Sequence, residues 1–237
     1  MLQVDLHVHT FFSNCGIHSH LEMLGRAREL GMSAVAITDH GPQLDGRSSR
    51  VVYDRLHDPL EGVRMLKGME CNFLPDRSGI DLPPELLGYL DVVIVGLHHN
   101  VAKGQGRRTY TAMMLDAIER YPCIDIIAHP NDPDYPLDFE QVAVAARKQG
   151  IALELNNSKT LLQRSPDELT YSLVEACKEA GCPMVVCSDA HAVNELGRDD
   201  AVRPIMKALD FPEELDITAD ARRTLAFIDG RGDRKRK

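Results

Sequence analysis

The 237 residues of this chain are 43% hydrophobic and 27% charged, enough apolar material for a buried core and, at this length, the size of an α/β barrel. No apolar run approaches the ~20 residues that a bilayer span needs, which excludes a membrane segment. A formal net charge of −9 argues against a general nucleic-acid surface and points to a small anion, provided that bound cations reverse the local field.

Short apolar, β-branched runs recur at 4–10, 33–39, 65–73, 91–97, 124–129, 151–156 and 183–188. Their continuous hydrophobicity predicts strands buried on both faces, as in a parallel sheet. Helical stretches separate most of them, at 20–30, 110–120, 138–149, 167–180 and 198–209. Asp138 and Ser165 stand where N-caps belong, and Gly31, Gly150 and Gly181 where helices stop. Seven such units with no composition break or internal repeat predict one barrel domain over 1–230. The segment 41–64 is expected to be an irregular polar connection, and 231–237 a basic, solvated, disordered tail with nucleic-acid contact as its minor reading. The six cysteines (15, 71, 123, 177, 182 and 187) form no C-x-x-C pair and are expected to be reduced and mostly buried. With candidate ligands within ten residues of Met1, no signal peptide is expected, and a cytoplasmic location is the simplest reading.

The segment Asp5-Leu6-His7-Val8-His9-Thr10 puts two imidazoles two positions apart, where a strand directs both to one face. One such pair is a weak signal. Yet His40, Glu70, His98, His129, Asp189 and His191 also fall at or just past the C-terminal ends of successive runs. In a parallel barrel those ends share the face where such folds do chemistry, and scattered core histidines would not all choose it. Mixed imidazole and carboxylate donors suit zinc, iron or manganese. Two ions need about ten bonds and three about twelve to fifteen. These eight residues, one donor from 15–20, a bridging Glu70 carboxylate and a bridging hydroxide supply about twelve. The count favours three divalent ions and leaves two open.

His18 is read as the ninth donor, with Cys15 and His20 as alternatives in the same loop. Only one of the adjacent His98 and His99 can face the site; His98 is read as the ligand and His99 as a substrate contact or general acid. Asp5, two positions before His7, and Asp39 are read as carboxylates that orient imidazoles. Arg47, Arg50 and Arg107 in the loops, and Asn156 closing the sixth run, are candidates for holding phosphate. His57, in the polar connection, reads as solvated.

In order along the chain, Asp-Leu-His-Val-His-Thr, Thr-Asp-His-Gly-Pro, Gly-Met-Glu, Gly-Leu-His, Ala-His-Pro and Ser-Asp-Ala-His resemble the motifs of the PHP superfamily, named for polymerase and histidinol phosphatase domains. Leu-Glu-Leu-Asn-Asn-Ser at 153–158 makes the likeness nearest to its stand-alone bacterial phosphatases. The resemblance implies a distorted seven-stranded (βα) TIM-like barrel, three metals (usually zinc, sometimes manganese or iron) and phosphoester hydrolysis. There is one departure. Several relatives carry a ligand histidine three positions before His18, where this chain has Cys15.

The expected protein is a metal-dependent phosphatase in which a hydroxide bridging two ions attacks a small phosphomonoester. The alternatives are a nuclease or phosphodiesterase, an amidohydrolase, and a metal-stabilised binding barrel. Glu70, the closing Asp-x-His pair and the absence of a strand lysine disfavour the amidohydrolase. A small phosphorylated substrate is the one partner implied, and the oligomeric state is not legible.

Overall fold

The computed structural model describes residues 1–56 and 60–234; His57 lies outside the described residues. Seven parallel strands follow one another in sequence order: β1 (Val4–Val8), β2 (Ala34–Ile37), β3 (Arg64–Asn72), β4 (Val92–Gly96), β5 (Ile126–Ile127), β6 (Ala152–Asn156) and β7 (Met184–Cys187). The helices are α1 (His20–Glu29), α2 (Arg50–Arg55), α3 (Arg107–Arg120), α4 (Phe139–Gln149), α5 (Asn157–Leu161), α6 (Asp167–Ala180), α7 (Arg203–Ala208) and α8 (Ala221–Asp229). The result is a nearly closed, TIM-like α/β barrel. Among the described residues, no helix is long and apolar enough to cross a membrane.

The two-sided hydrophobicity of the strands has a direct cause. Leu6, Leu66, Ile94, Ile126, Ala152 and Val185 belong to one buried cluster inside the barrel. Their strand neighbours Val93, Val95, Ile127, Leu153 and Val186 join a second cluster with the helices outside. Apolar residues of α8, among them Leu225, Phe227 and Ile228, pack against the inner cluster. Gly150 and Gly181 end α4 and α6 in the left-handed conformation, each at φ 63°, which a side chain would strain. Asp138 caps α4 by accepting from the Gln141 N–H at 3.1 Å. Ser165 does not cap α6. Its hydroxyl donates to the Asn131 carbonyl, and Pro166 takes the cap position. The segment expected to be irregular carries the short helix α2.

Residues 231–234, placed in the expected tail, are ordered against the barrel or in a short turn. Arg231 is buried, its Nε 2.7 Å from Asp125 Oδ1, and its guanidinium also donates to the carbonyls of Ile124 and Gly150. Those acceptors sit just before β5 and β6, where only a multidentate donor satisfies a carboxylate and carbonyls together. A short 3₁₀ turn, Gly232–Arg234, follows, and residues 235–237 lie outside the described residues.

The seam between β1 and β7 is the thinnest part of the barrel. One bridge, Val8 to Ala190, spans it, with the His9 N–H donating to the Ala190 carbonyl at 2.8 Å. Asp5 fills the remainder: its carboxylate accepts from the Ser188 N–H at 3.2 Å, the Ser188 hydroxyl at 2.5 Å and the Gly197 N–H at 3.0 Å. Burial pushes the Asp5 carboxyl up to about 6, against those hydrogen bonds. Asp5 therefore joins strands, and among the described residues none of its hydrogen bonds goes to an imidazole ring, contrary to the role read for it. The reason is a bulge. Between Asp5 and Val8, three steps on β1 oppose two on β2, from Val35 to Ile37. The alternation of faces slips there, so Asp5 and His7 no longer share one.

Candidate metal centre

Above the apolar floor, the C-terminal strand ends converge on Glu70. This fully buried carboxylate from β3 has imidazoles on both of its oxygens. His98 Nε2 and His129 Nε2 each lie 3.1 Å from Oε1. His40 Nδ1 lies 2.8 Å from Oε2, and His7 Nε2 and His9 Nε2 each lie 3.3 Å from it. Asp189, at the end of β7, reaches the same cluster, with Oδ1 3.3 Å from His9 Nε2 and 3.6 Å from His7 Nε2. The His191 ring lies tilted beside His9, with centroids 4.5 Å apart.

Three donor groups overlap in this cluster: His7, His9 and Asp189; His40, Glu70 and His98; and His9, Cys15 and His40. Within each group the donor atoms lie within 4.8 Å of one another. Two details indicate that the residues fit metal ions. Glu70 Oε2 and His40 Nδ1 are buried and lack a hydrogen-bond partner although they are 2.8 Å apart. Buried polar atoms left in this state are costly unless another group engages them. In addition, His7 Nε2 and His9 Nε2 meet at 3.0 Å, two ring nitrogens turned toward one point.

The electrostatics follow from packing imidazoles around carboxylates. Burial disfavours a charged Glu70, but His98, His7 and His40 outweigh it and hold the carboxyl well below its ordinary value. Asp189 is lowered in the same way: His7, His9 and His191 outweigh burial. His7 is raised well above its ordinary value, because Glu154, Glu70 and Asp189 overcome its desolvation. Burial also opposes charge on His40 and His191. Glu70 and Cys15 nevertheless push His40 up to about 10, and Cys15 and Asp189 push His191 up to about 9. His98 goes the other way, to about 4, because its burial exceeds the pull of Glu70.

A layer of buried groups behind these residues orients them. Glu154 on β6, which sequence reasoning missed, accepts from His7 Nδ1 at 2.7 Å. Its other oxygen accepts from the His129 N–H at 2.7 Å and from Asn156 Nδ2 at 3.1 Å. A signal was available: a glutamate inside the apolar run Ile-Ala-Leu-Glu-Leu of a doubly buried strand demands a partner. Asn156 also donates to Asp189 Oδ2 at 3.0 Å. Asp39 accepts from the Thr10 and Ser13 hydroxyls at 2.7 Å each, and Ser13 Oγ in turn lies 3.1 Å from His9 Nδ1. Asp39 thus acts on His9 through Ser13. Backbone geometry adds to the placement: His129 (φ 31°) and Asp189 (φ 55°) are held in the left-handed region, strain that is commonly stored at functional sites. Gly96 leaves the room needed, since a Cβ there would lie 2.8 Å from His98 Cε1 and 3.0 Å from His129 Cε1.

Several expected residues stand elsewhere. His18 belongs to none of the donor groups; Cys15 takes that place. His20 begins α1, near Asp39. His99 is exposed in the loop after β4. Asn156 is buried behind Asp189, unavailable to a substrate. Arg47 is exposed and donates to Asn14 Oδ1 at 3.3 Å, at the loop after β1. Arg50 pairs with Asp54 at 3.4 Å on the exposed surface of α2. Arg107, at the start of α3, lines a groove shared with Asp132, Asp138, Glu140, Glu175 and Glu179, whose charge repels phosphate. None of the three arginines contributes to the donor groups among the described residues.

A parallel barrel with overlapping imidazole and carboxylate groups at its C-terminal mouth defines the metal-dependent barrel proteins as the class. Within that class the chain belongs to the PHP domain family, whose sequence model matches residues 5–158. It is 32% identical to a protein of Acetivibrio thermocellus named "Probable phosphatase", over 99% of this chain and 98% of the relative. It is 33% identical to "Probable phosphatase YcdX" of Escherichia coli O81, over 98% and 96%. Its fold is similar to the crystal structure of histidinol phosphate phosphatase from Lactococcus lactis, complexed with zinc, L-histidinol and phosphate. The TM-score is 0.62 at 18% identity, covering 90% of this chain and 93% of the other.

Proposed function

We propose that the chain is a metal-dependent phosphatase that hydrolyses a small phosphomonoester. The observation that carries this reading is the set of three donor groups linked through His9 and His40, one of which contains Glu70. Three divalent ions, zinc foremost, would be held by His7, His9, His40, Glu70, His98, His129, Asp189 and His191 with one donor from the loop after β1. When bound, they would supply an acidified water as nucleophile and neutralise charge on the phosphoryl oxygens.

The chain's own residues do the positioning. Glu154 and Ser13 fix the His7 and His9 rings through their Nδ1 atoms, which leaves both Nε2 atoms for ligation. His7, His9 and Glu70 are buried, whereas His40 and His191 are partly exposed, so a phosphate enters from the His40 and His191 side. His99, exposed and next in sequence to His98, is the candidate donor of a proton to the leaving alkoxide. The relatives named as phosphatases, similar along nearly their whole length, support the reaction class. All six cysteines are free, five of them buried, which supports a reducing compartment such as the cytoplasm.

The test is a comparison of p-nitrophenyl phosphate with bis(p-nitrophenyl) phosphate on metal-replete protein. Preferential turnover of the monoester is expected. Faster turnover of the diester would replace the phosphatase with a phosphodiesterase.

A further inference from the structure

In the loop after β1, Cys15 departs from the nitrogen and oxygen donors around it. Its thiol is grouped with His9 and His40, all donor atoms lying within 4.8 Å of one another. A second observation is independent of the cysteine: the buried His40 Nδ1 lacks a hydrogen-bond partner. The loop itself is tightly built. The Gly16 N–H donates to the Ser13 carbonyl at 3.2 Å, and the Ile17 N–H to the His191 carbonyl at 3.1 Å. A Cβ on Gly16 would lie 2.2 Å from the Thr10 carbonyl oxygen, so only glycine permits the fold-back that carries Cys15 inward. The residues on both sides of Cys15 are therefore anchored.

We propose that Cys15 supplies a thiolate ligand at the ion position shared with His9 and His40, and that this position selects a thiophilic divalent ion, zinc over manganese or magnesium. The proposal rests on the metal-centre reading and deepens it. Thiolate is a soft donor that zinc and cobalt accept, whereas manganese and magnesium prefer oxygen. Cys15 is exposed and the other five cysteines are buried, so its ligation can be read separately from theirs.

The experiment is to strip the protein and reload it with cobalt(II). Wild type is expected to show a thiolate-to-cobalt charge-transfer band in the near ultraviolet. In Cys15→Ser the band should be lost, with one ion fewer bound per chain. A second measurement needs only the wild-type chain: iodoacetamide should label Cys15 in the stripped protein, and zinc, but not manganese, should block labelling. Full cobalt loading without the band, or equal labelling with and without zinc, would overturn the thiolate ligand. Protection by manganese equal to that by zinc would overturn the selectivity. A protein that takes up no cobalt at all would overturn the metal-centre reading, and this inference with it.

Discussion

Replacing Glu154 by glutamine isolates the contribution of one buried oxygen. Glu154 Oε1 accepts from His7 Nδ1 at 2.7 Å, and Oε2 accepts from the His129 N–H and from Asn156. In Glu154→Gln the remaining oxygen can serve the two donors on the Oε2 side. The amide NH₂ then faces His7 Nδ1 and donates to it, which forces the ring proton onto Nε2, the atom turned toward His9 and Glu70. Ligation through Nε2 then requires restoring the other tautomer at the cost of a charge-assisted hydrogen bond, about 1.5–3 kcal/mol. The outcome is a loss of metal affinity of about 10- to 100-fold, the range found when a partner of a ligating histidine is removed. A competition titration of zinc against a chromophoric chelator measures it. The fold of the metal-free variant should persist, because glutamine has nearly the same shape. Glu154→Ala, in contrast, also strands the buried His129 N–H, at about 1–3 kcal/mol of stability. Wild-type zinc affinity in Glu154→Gln would refute the reasoning, since the tautomer of His7 would then not depend on residue 154.

Two further outcomes follow from the same geometry. Gly96→Ala puts a methyl group against His98 and His129, at 2.8 and 3.0 Å, an overpacking of about 1–3 kcal/mol. It should reduce metal content while circular dichroism still reports a folded barrel; full metal content would show that those rings can give way. Metal uptake should also release protons near neutral pH. His7 (well above its ordinary value), His40 (about 10) and His191 (about 9) are raised, so all three are protonated in the metal-free protein at pH 7 and must lose those protons to bind. Apparent affinity therefore falls as pH drops below about 10. Calorimetry in buffers of different ionisation enthalpy measures the release, about three protons at pH 7, and a value near zero would contradict the assigned protonation.

The barrel was legible in the sequence because parallel strands buried on both faces read as continuous apolar runs, and their ends were marked by histidines, Glu70 and Asp189. Local irregularity is what periodicity does not carry. The bulge in β1 turned Asp5 to the barrel seam, although its spacing from His7 and His9 suggested a shared face. The choice between Cys15 and His18 depended on how one tight loop folds back, which residue spacing does not specify. Arg231 was read from the basic composition around it, while its partner Asp125 lies 106 positions away. Asn156 looked like a substrate contact because it ends a strand. Its position on the inner face behind Asp189 instead makes it a support for that carboxylate.

The most direct test of the central claim is metal content per chain on protein purified without chelator, measured together with p-nitrophenyl phosphate turnover in wild type and Asp189→Ala. The account predicts three divalent ions, chelator-sensitive turnover, and joint loss of metal and turnover in the variant. Fewer than one ion per chain after reconstitution, or turnover that survives both chelation and the loss of Asp189, would contradict it.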